Sequence, residues 1–278
     1  MVLTWEKVER YRDRTFRRRP SLAVKGTRSA LAFIQQVGFC TAFSVHPHLA
    51  CLWVAASGER RPRMPHHTHS DPVLGLTWDL KDRLPDARQV FYARLLCGKP
   101  SLISLEFLPS FYRLFGTPTE GLPHSGLGLV EQGILDWLST RPPQPTYQLR
   151  LHGDFRGPLS KPRYEKAIGR LQEKLLVLKT RTVYEPKFTY YWGLVEKTFP
   201  KEVRKAGRLS RQGALRKILQ RYFDTALCAR RRDLLSIFRG LDAAELDAAL
   251  EAMAGKGILQ KGRRFHGLEG LWFSRNVI

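Results

Sequence analysis

Acidic side chains are scarce in this chain: 25 Asp plus Glu face 47 Lys plus Arg among 278 residues, a formal net charge of +22. That deficit favours a polyanionic partner, because each phosphate neutralised by a cation releases condensed counterions. A ribosome-associated or membrane-surface protein would show the same excess. Long apolar runs are missing too. None approaches the roughly 18 residues that span a bilayer, so no membrane is expected as a partner. Residues 1–20 lack the apolar centre of a signal peptide, and Glu6, Glu9 and Asp13 oppose a transit-peptide reading of their arginines. The chain has only four cysteines, Cys40, Cys51, Cys97 and Cys228, with no C-x-x-C pair. They read as reduced, mostly buried thiols of a cytoplasmic protein, which argues against a structural zinc site. Walker loops, G-x-S-x-G elbows and dinucleotide fingerprints are absent, and no cofactor is expected.

What is present is globular, 43% hydrophobic, and long enough for one large domain or several small ones. Trp5 to Arg14 suits a short helix. Ser29 to Phe43 is apolar and partly β-branched or aromatic, a composition that fits a helix passing into a strand near Gln35. The period alone does not separate the two. Gly58 to Pro72 reads as a loop. Two helices are expected over Asp86–Leu96 and Leu102–Phe115, and the Gly/Pro-rich stretch from Gly116 to Gly128 marks a boundary. Beyond it come helices over Leu129–Leu138 and from Ser160 onward, a short element over Tyr147–Leu151, and strands near Leu176–Leu178 and Phe188–Trp192. The same order recurs with helices at Ala214–Tyr222, Arg231–Phe238 and a third opened by Asp242, where Glu245 would complete a capping box. Ile258–Gln260 and Leu271–Phe273 then form a two-stranded wing. Helix, helix, helix, two strands is the order of a winged helix. The fold class expected is α+β, mainly α, with tandem winged-helix modules over 1–125, 126–205 and 206–278, the first carrying a helical insert.

A helix that reads DNA needs a cationic or amidic exposed face. The helix from Ser160 has one in Lys161, Arg163, Lys166, Arg170 and Lys174, although a plain solvated lysine face has the same composition. The Asp242 helix carries Asp242, Glu245, Asp247 and Glu251 and would repel phosphate, so its module is expected to pack on its neighbours. Arg60, Arg61 and Arg63, with Arg17–Arg19 and Arg230–Arg232, suit phosphate contacts that position without reading sequence. His66, His67 and His69 lie in a loop without the helical spacing or remote partners of a metal site, so no metal is expected there.

Several short stretches together resemble the AlkZ/YcaQ superfamily of DNA glycosylases, most closely its AlkZ-related branch. They are Phe33-Ile34-Gln35-Gln36, His46-Pro47-His48-Leu49 followed by Leu52-Trp53, and Phe91-Tyr92-Ala93-Arg94-Leu95-Leu96. Tyr164-Glu165-Lys166-Ala167 through Leu171-Gln172, and Ala214 to Tyr222, extend the likeness over most of the chain. The resemblance implies winged-helix modules cradling double-stranded DNA, damaged by alkylation, and an N-glycosidic bond hydrolase acting on bulky N-alkylpurines. It aligns the first member of a catalytic Gln-x-Asp or Gln-x-Gln pair with Gln35 and the second with Val37, and a histidine pair with His46 and His48. Such a protein would work as a monomer in the cytoplasm, at the nucleoid.

Val37 is the departure that matters. An N7-alkylated purine is already cationic and leaves readily, so the enzyme must mainly orient a water and stabilise an oxocarbenium-like sugar. Gln35 can orient water, whereas Val37 offers no lone pair. Gln36 can substitute only if the backbone bends, since neighbours on an extended strand face opposite sides. Without that pair, the chain reads as a non-catalytic winged-helix DNA-binding protein, a lesion sensor or regulator. An RNA- or ribosome-associated protein is the remaining alternative.

Overall fold

The computed structural model describes residues 3–66, 70–118, 126–152 and 160–276. The first stretch of chain gives α1 (Trp5–Thr15), α2 (Thr27–Val37), β1 (Phe39–Thr41), α3 (Leu52–Ser57), α4 (Pro72–Asp86), β2 (Val90–Arg94), β3 (Pro100–Ser104) and α5 (Leu108–Phe115). The middle stretch gives α6 (Leu129–Ser139), β4 (Gln144–Pro145), α7 (Thr146–His152), α8 (Ser160–Glu173), β5 (Val177–Val183) and β6 (Thr189–Leu194). The last comprises α9 (Val195–Thr198), α10 (Pro200–Gly207), α11 (Arg211–Ala226), β7 (Cys228–Ala229), α12 (Arg231–Ile237), α13 (Ala243–Gly255), β8 (Leu259–Arg263) and β9 (Trp272–Arg275). Among the described residues each stretch builds one antiparallel three-stranded sheet, ordered β1-β3-β2, β4-β6-β5 and β7-β9-β8. The chain is thus a mainly α member of the α+β class.

α2 is helical through Val37, so the change to strand falls at Phe39 rather than near Gln35. Ala30, Phe33, Ile34 and Val37 are its buried residues, an i, i+3, i+4, i+7 stripe that needs the full helix to face the core. Gly38 ends it at φ +82° while its N–H still reaches the Ile34 carbonyl at 2.8 Å. A second expectation is overturned between Asp86 and Ser104, where the chain forms the β2–β3 hairpin, Phe91 opposite Ile103 and Tyr92 opposite Leu102, in place of a helix and the start of another. Val90, Phe91, Ala93, Leu102 and Ile103 are all buried. A strand buried on both faces shows no polar alternation, and its apolar run mimics a helix. In the third unit, Asp242 Oδ1 caps α13 by accepting from the Glu245 N–H at 2.9 Å. The Glu245 carboxylate instead takes both arms of Arg211, each at 2.9 Å, so the reciprocal box is not closed.

The packing unites the two ends of the chain. One core runs from α2 and the first sheet into α11, α12 and α13, with Phe39, Phe111, Tyr222 and Phe238 in ring contact. The middle unit keeps its own core of Ile134, Leu138, Leu149, Ile168, Leu171 and Trp192. A buried ion cluster ties that unit to α4. Asp82 accepts from Lys81 and Lys179 at 2.6 Å each and from the Tyr184 hydroxyl at 2.7 Å. Burial opposes ionisation of Asp82, but Lys179 and Lys81 outweigh it and hold the carboxyl below its usual range. For Lys81 burial wins, and the ammonium is pushed down. No helix among the described residues is long and apolar enough to cross a membrane.

Candidate nucleic-acid interface

Gln35 and Gln36 occupy the last turn of α2 on the side away from its buried stripe. Both are exposed, and neither side-chain amide has a hydrogen-bond partner among the described residues. Their backbone carbonyls accept from Arg221 Nη1 at 3.3 and 2.7 Å. These are unsatisfied helix-end carbonyls at the negative end of the helix dipole, where a guanidinium is favoured. Arg221 and Lys217 both lie over the Phe107 ring, at 4.9 and 4.8 Å. Lys217 pairs with the Glu106 carboxylate at 3.3 Å, and Arg221 stands 4.0 Å from it. The rim around the amides therefore holds two cations, one carboxylate and an aromatic face. Val37 is only 1% exposed. Residues two apart on a helix are about 200° apart around its axis, so position 37 points into the core and a carboxylate there would be buried unpaired.

His48 is 8% exposed and sits in the joint between α1 and the third sheet. Its Nδ1 faces Arg12 Nη1 at 2.8 Å, its carbonyl accepts from the Tyr222 hydroxyl at 2.9 Å, and its ring meets Trp5 and Trp272 edge-on. Arg12 also donates to the carbonyls of Ala226 and Cys228, at 2.8 and 2.9 Å. Burial, then the Arg12 guanidinium, push the His48 imidazolium down to about 3. His46 is lowered by burial as well, against the pull of Asp233 3.9 Å away. Burial opposes ionisation of Asp233, yet its hydrogen bonds from Arg230 keep its carboxyl below the usual range. This placement gives His48 no surface for a phosphate, against the expectation that it contacts DNA. His46, half-buried, belongs to the same joint.

The arginines divide by partner. Arg60 grips the buried Asp13 with both arms, at 2.8 and 2.5 Å, so its fork is already occupied. Arg61 and Arg63 are exposed and make no ion pair among the described residues. Arg18 is buried against Glu9 and Asp13, and Arg17 lies over Phe33. Arg230, Arg231 and Arg232 pair with Asp233, Asp247 and Glu269. Most of these guanidiniums already hold a carboxylate, some from nearby in sequence, as Arg230 with Asp233, and some from another element, as Arg60 with Asp13 and Arg231 with Asp247. His66 is exposed, while His67 and His69 lie outside the described residues.

On α8 the buried residues Tyr164, Ala167, Ile168 and Leu171 face the middle core, and Lys161, Arg163, Lys166 and Arg170 face outward. Lys174 is exposed just past the last helical residue, Glu173. Arg170 leans to the buried Glu131 at 3.2 Å, and Lys161 is a weak, exposed i,i+4 pair with Glu165 at 4.0 Å. Arg163, Lys166 and Lys174 make no ion pair among the described residues. Glu106, Lys217 and Arg221 were not anticipated. Nothing in the sequence sets them apart, because they meet Gln36 only through the packing of α11 on α5 and α2.

Fold and site define a basic, mainly α protein of the α+β class with an unbonded amide edge and a cationic helix face. It belongs to the AlkZ-related family, which it matches over residues 24–239. Among solved structures it is similar in fold to the Streptomyces sahachiroi DNA glycosylase AlkZ. The two share 12% identity at a TM-score of 0.57, over 99% of this chain and 71% of that one. No curated protein matches the chain in sequence.

Proposed function

We propose that this chain binds duplex DNA and hydrolyses the N-glycosidic bond of an N-alkylated purine, with the Gln35–Gln36 edge against the lesion. Its three sheet-bearing units, over 1–125, 126–205 and 206–278, act as winged helices, and the protein works as a monomer on cytoplasmic, nucleoid DNA. The observation that carries this reading is the amide edge, two exposed side chains with all their hydrogen-bonding capacity free. An alkylated purine leaves as a neutral base, so the site needs a held water and negative charge near the sugar. Gln35 orients the water. Glu106 is the carboxylate of the same rim and supplies the charge that Val37 lacks, with Lys217 and Arg221 fixing its position. Lys161, Arg163, Lys166 and Lys174 on and beside α8, with Arg61 and Arg63, neutralise phosphates. Arg60 and Arg170 are committed to Asp13 and Glu131 and contribute less.

The experiment is base release from a duplex holding a single N7-alkylguanine, read as strand cleavage after alkali. Wild-type protein should release the base, and Gln35→Ala and Glu106→Gln should each slow release by about 10²-fold or more. Salt-dependent duplex binding without release would refute catalysis and leave a non-catalytic lesion sensor.

A further inference from the structure

A cleft of about 830 Å³ lies between α7, α8, β2 and the β5–β6 hairpin, within the size range of small-ligand sites. None of its lining residues belongs to the Gln35 rim. Its walls are aromatic. Tyr92 and Tyr190 stand at the back, while Tyr147 and Phe188 flank the mouth at 57% and 52% exposure. Exposed aromatics gathered at the mouth of a cavity are the kind of patch that marks a binding groove. Arg94, Lys161 and Lys187 form an exposed cationic fringe.

Two features of the floor point to a ligand. Gln172 lines it at 3% exposure, and its Oε1 accepts no hydrogen bond. A buried acceptor without a donor is unfavourable until an N–H is brought to it. The floor is also stiff. Lys179 is locked by Asp82 at 2.6 Å and Thr182 at 2.9 Å, and the Tyr190 hydroxyl accepts from Lys81 at 3.3 Å. A rigid aromatic wall, one buried acceptor and a cationic rim match a flat heterocycle that carries N–H donors and is attached to phosphate.

We propose that this cleft receives one unstacked nucleotide of a DNA strand. The base lies against the aromatic wall and donates an N–H to Gln172, and the flanking phosphates rest on Arg94, Lys161 and Lys187. A strand is the source because Lys161 belongs both to the fringe and to the cationic face of α8. The inference rests on the duplex-binding part of the proposed function and not on its catalytic part.

The test is fluorescence anisotropy of the full chain on two labelled duplexes, identical except for one unpaired 2-aminopurine nucleotide. The bulged duplex should bind about 10-fold tighter or more, the scale of one stacked base. Tyr147→Ala with Phe188→Ala, both exposed positions, should cut that preference to about 3-fold or less and leave the paired duplex unaffected. Gln172→Leu should lower it as well. Equal affinity of wild-type protein for the two duplexes overturns the cleft assignment while duplex binding stands. Binding to neither overturns both. A preference erased by free dAMP at about millimolar concentration assigns the cleft to mononucleotides and overturns the strand as its source.

Discussion

Acidification should loosen the joint between α1 and the third sheet through His48. In the folded chain His48 Nδ1 accepts from Arg12 at 2.8 Å, so a second ring proton would set two donors against each other inside the protein. Burial and Arg12 lower the folded pKa to about 3, whereas an unfolded histidine titrates near ~6.5. Between those values the unfolded chain binds a proton that the folded chain does not, so stability falls as pH falls. The slope is about 1.4 kcal/mol per pH unit, or about 2 kcal/mol from pH ~6.5 to pH ~5. His46, also lowered by burial, adds to the loss with the same sign. Against a total of about 5–15 kcal/mol the change is large enough to measure. His48→Asn keeps an acceptor near the Nδ1 position and cannot titrate. Urea unfolding of both proteins across this pH range isolates the histidine, because other acid-sensitive groups are common to both. The stability advantage of wild type should shrink by about 2 kcal/mol over the range. An advantage constant to within about 0.5 kcal/mol would refute the buried neutral imidazole.

Asp82→Asn leaves Lys81 and Lys179 buried with only Asp86, 3.5 Å from Lys179, as counter-ion. It should cost about 3–5 kcal/mol in denaturant unfolding, and adding Lys81→Met should restore at least about 1 kcal/mol. Lys166→Ala with Lys174→Ala should reduce the slope of log affinity against log salt by about 2 if each cation neutralises one phosphate, whereas a parallel pair of titration curves would place the DNA elsewhere. Gly38→Ala forces a Cβ to 2.9 Å from Arg221 Cγ and 3.1 Å from Phe107 at a positive φ. Thermal unfolding should show a loss of about 1–3 kcal/mol, with weakened Arg221 capping of the Gln35 turn.

Local signals located the helices of the middle and last units well. α8, α11 and α13 have amphipathic stripes, and Asp242 caps as its position suggests. The β2–β3 hairpin was illegible because both faces of Val90-Phe91 and Leu102-Ile103 are covered, and a doubly buried strand loses its period. Gln35 and Gln36 were found by resemblance, but the reason Val37 is apolar is geometric. It completes the i, i+3, i+4, i+7 stripe of a helix that the sequence alone did not extend past Gln35. The burial of His48 and the engagement of Arg60 were illegible for one cause. Their partners, Arg12 and Asp13, lie on α1, and no spacing rule connects α1 to residues so far along the chain.

The core shared by the first and last units fixes an order of events in synthesis. α1 finds its hydrogen-bond acceptors at Ala226 and Cys228 and its ring partner at Trp272. While the chain emerges, the middle unit, with its self-contained core, is complete by Leu194 and α2 already has α4 and the first sheet to pack on, but α1 still lacks the surface it buries against. Contacts this distant in sequence form slowly, and the apolar faces waiting for them are open to capture by other chains. The last-made segment is thus the clasp that closes the first-made one. A chain cut short before Trp272 would lose order first at its amino-terminal helix rather than at the cut.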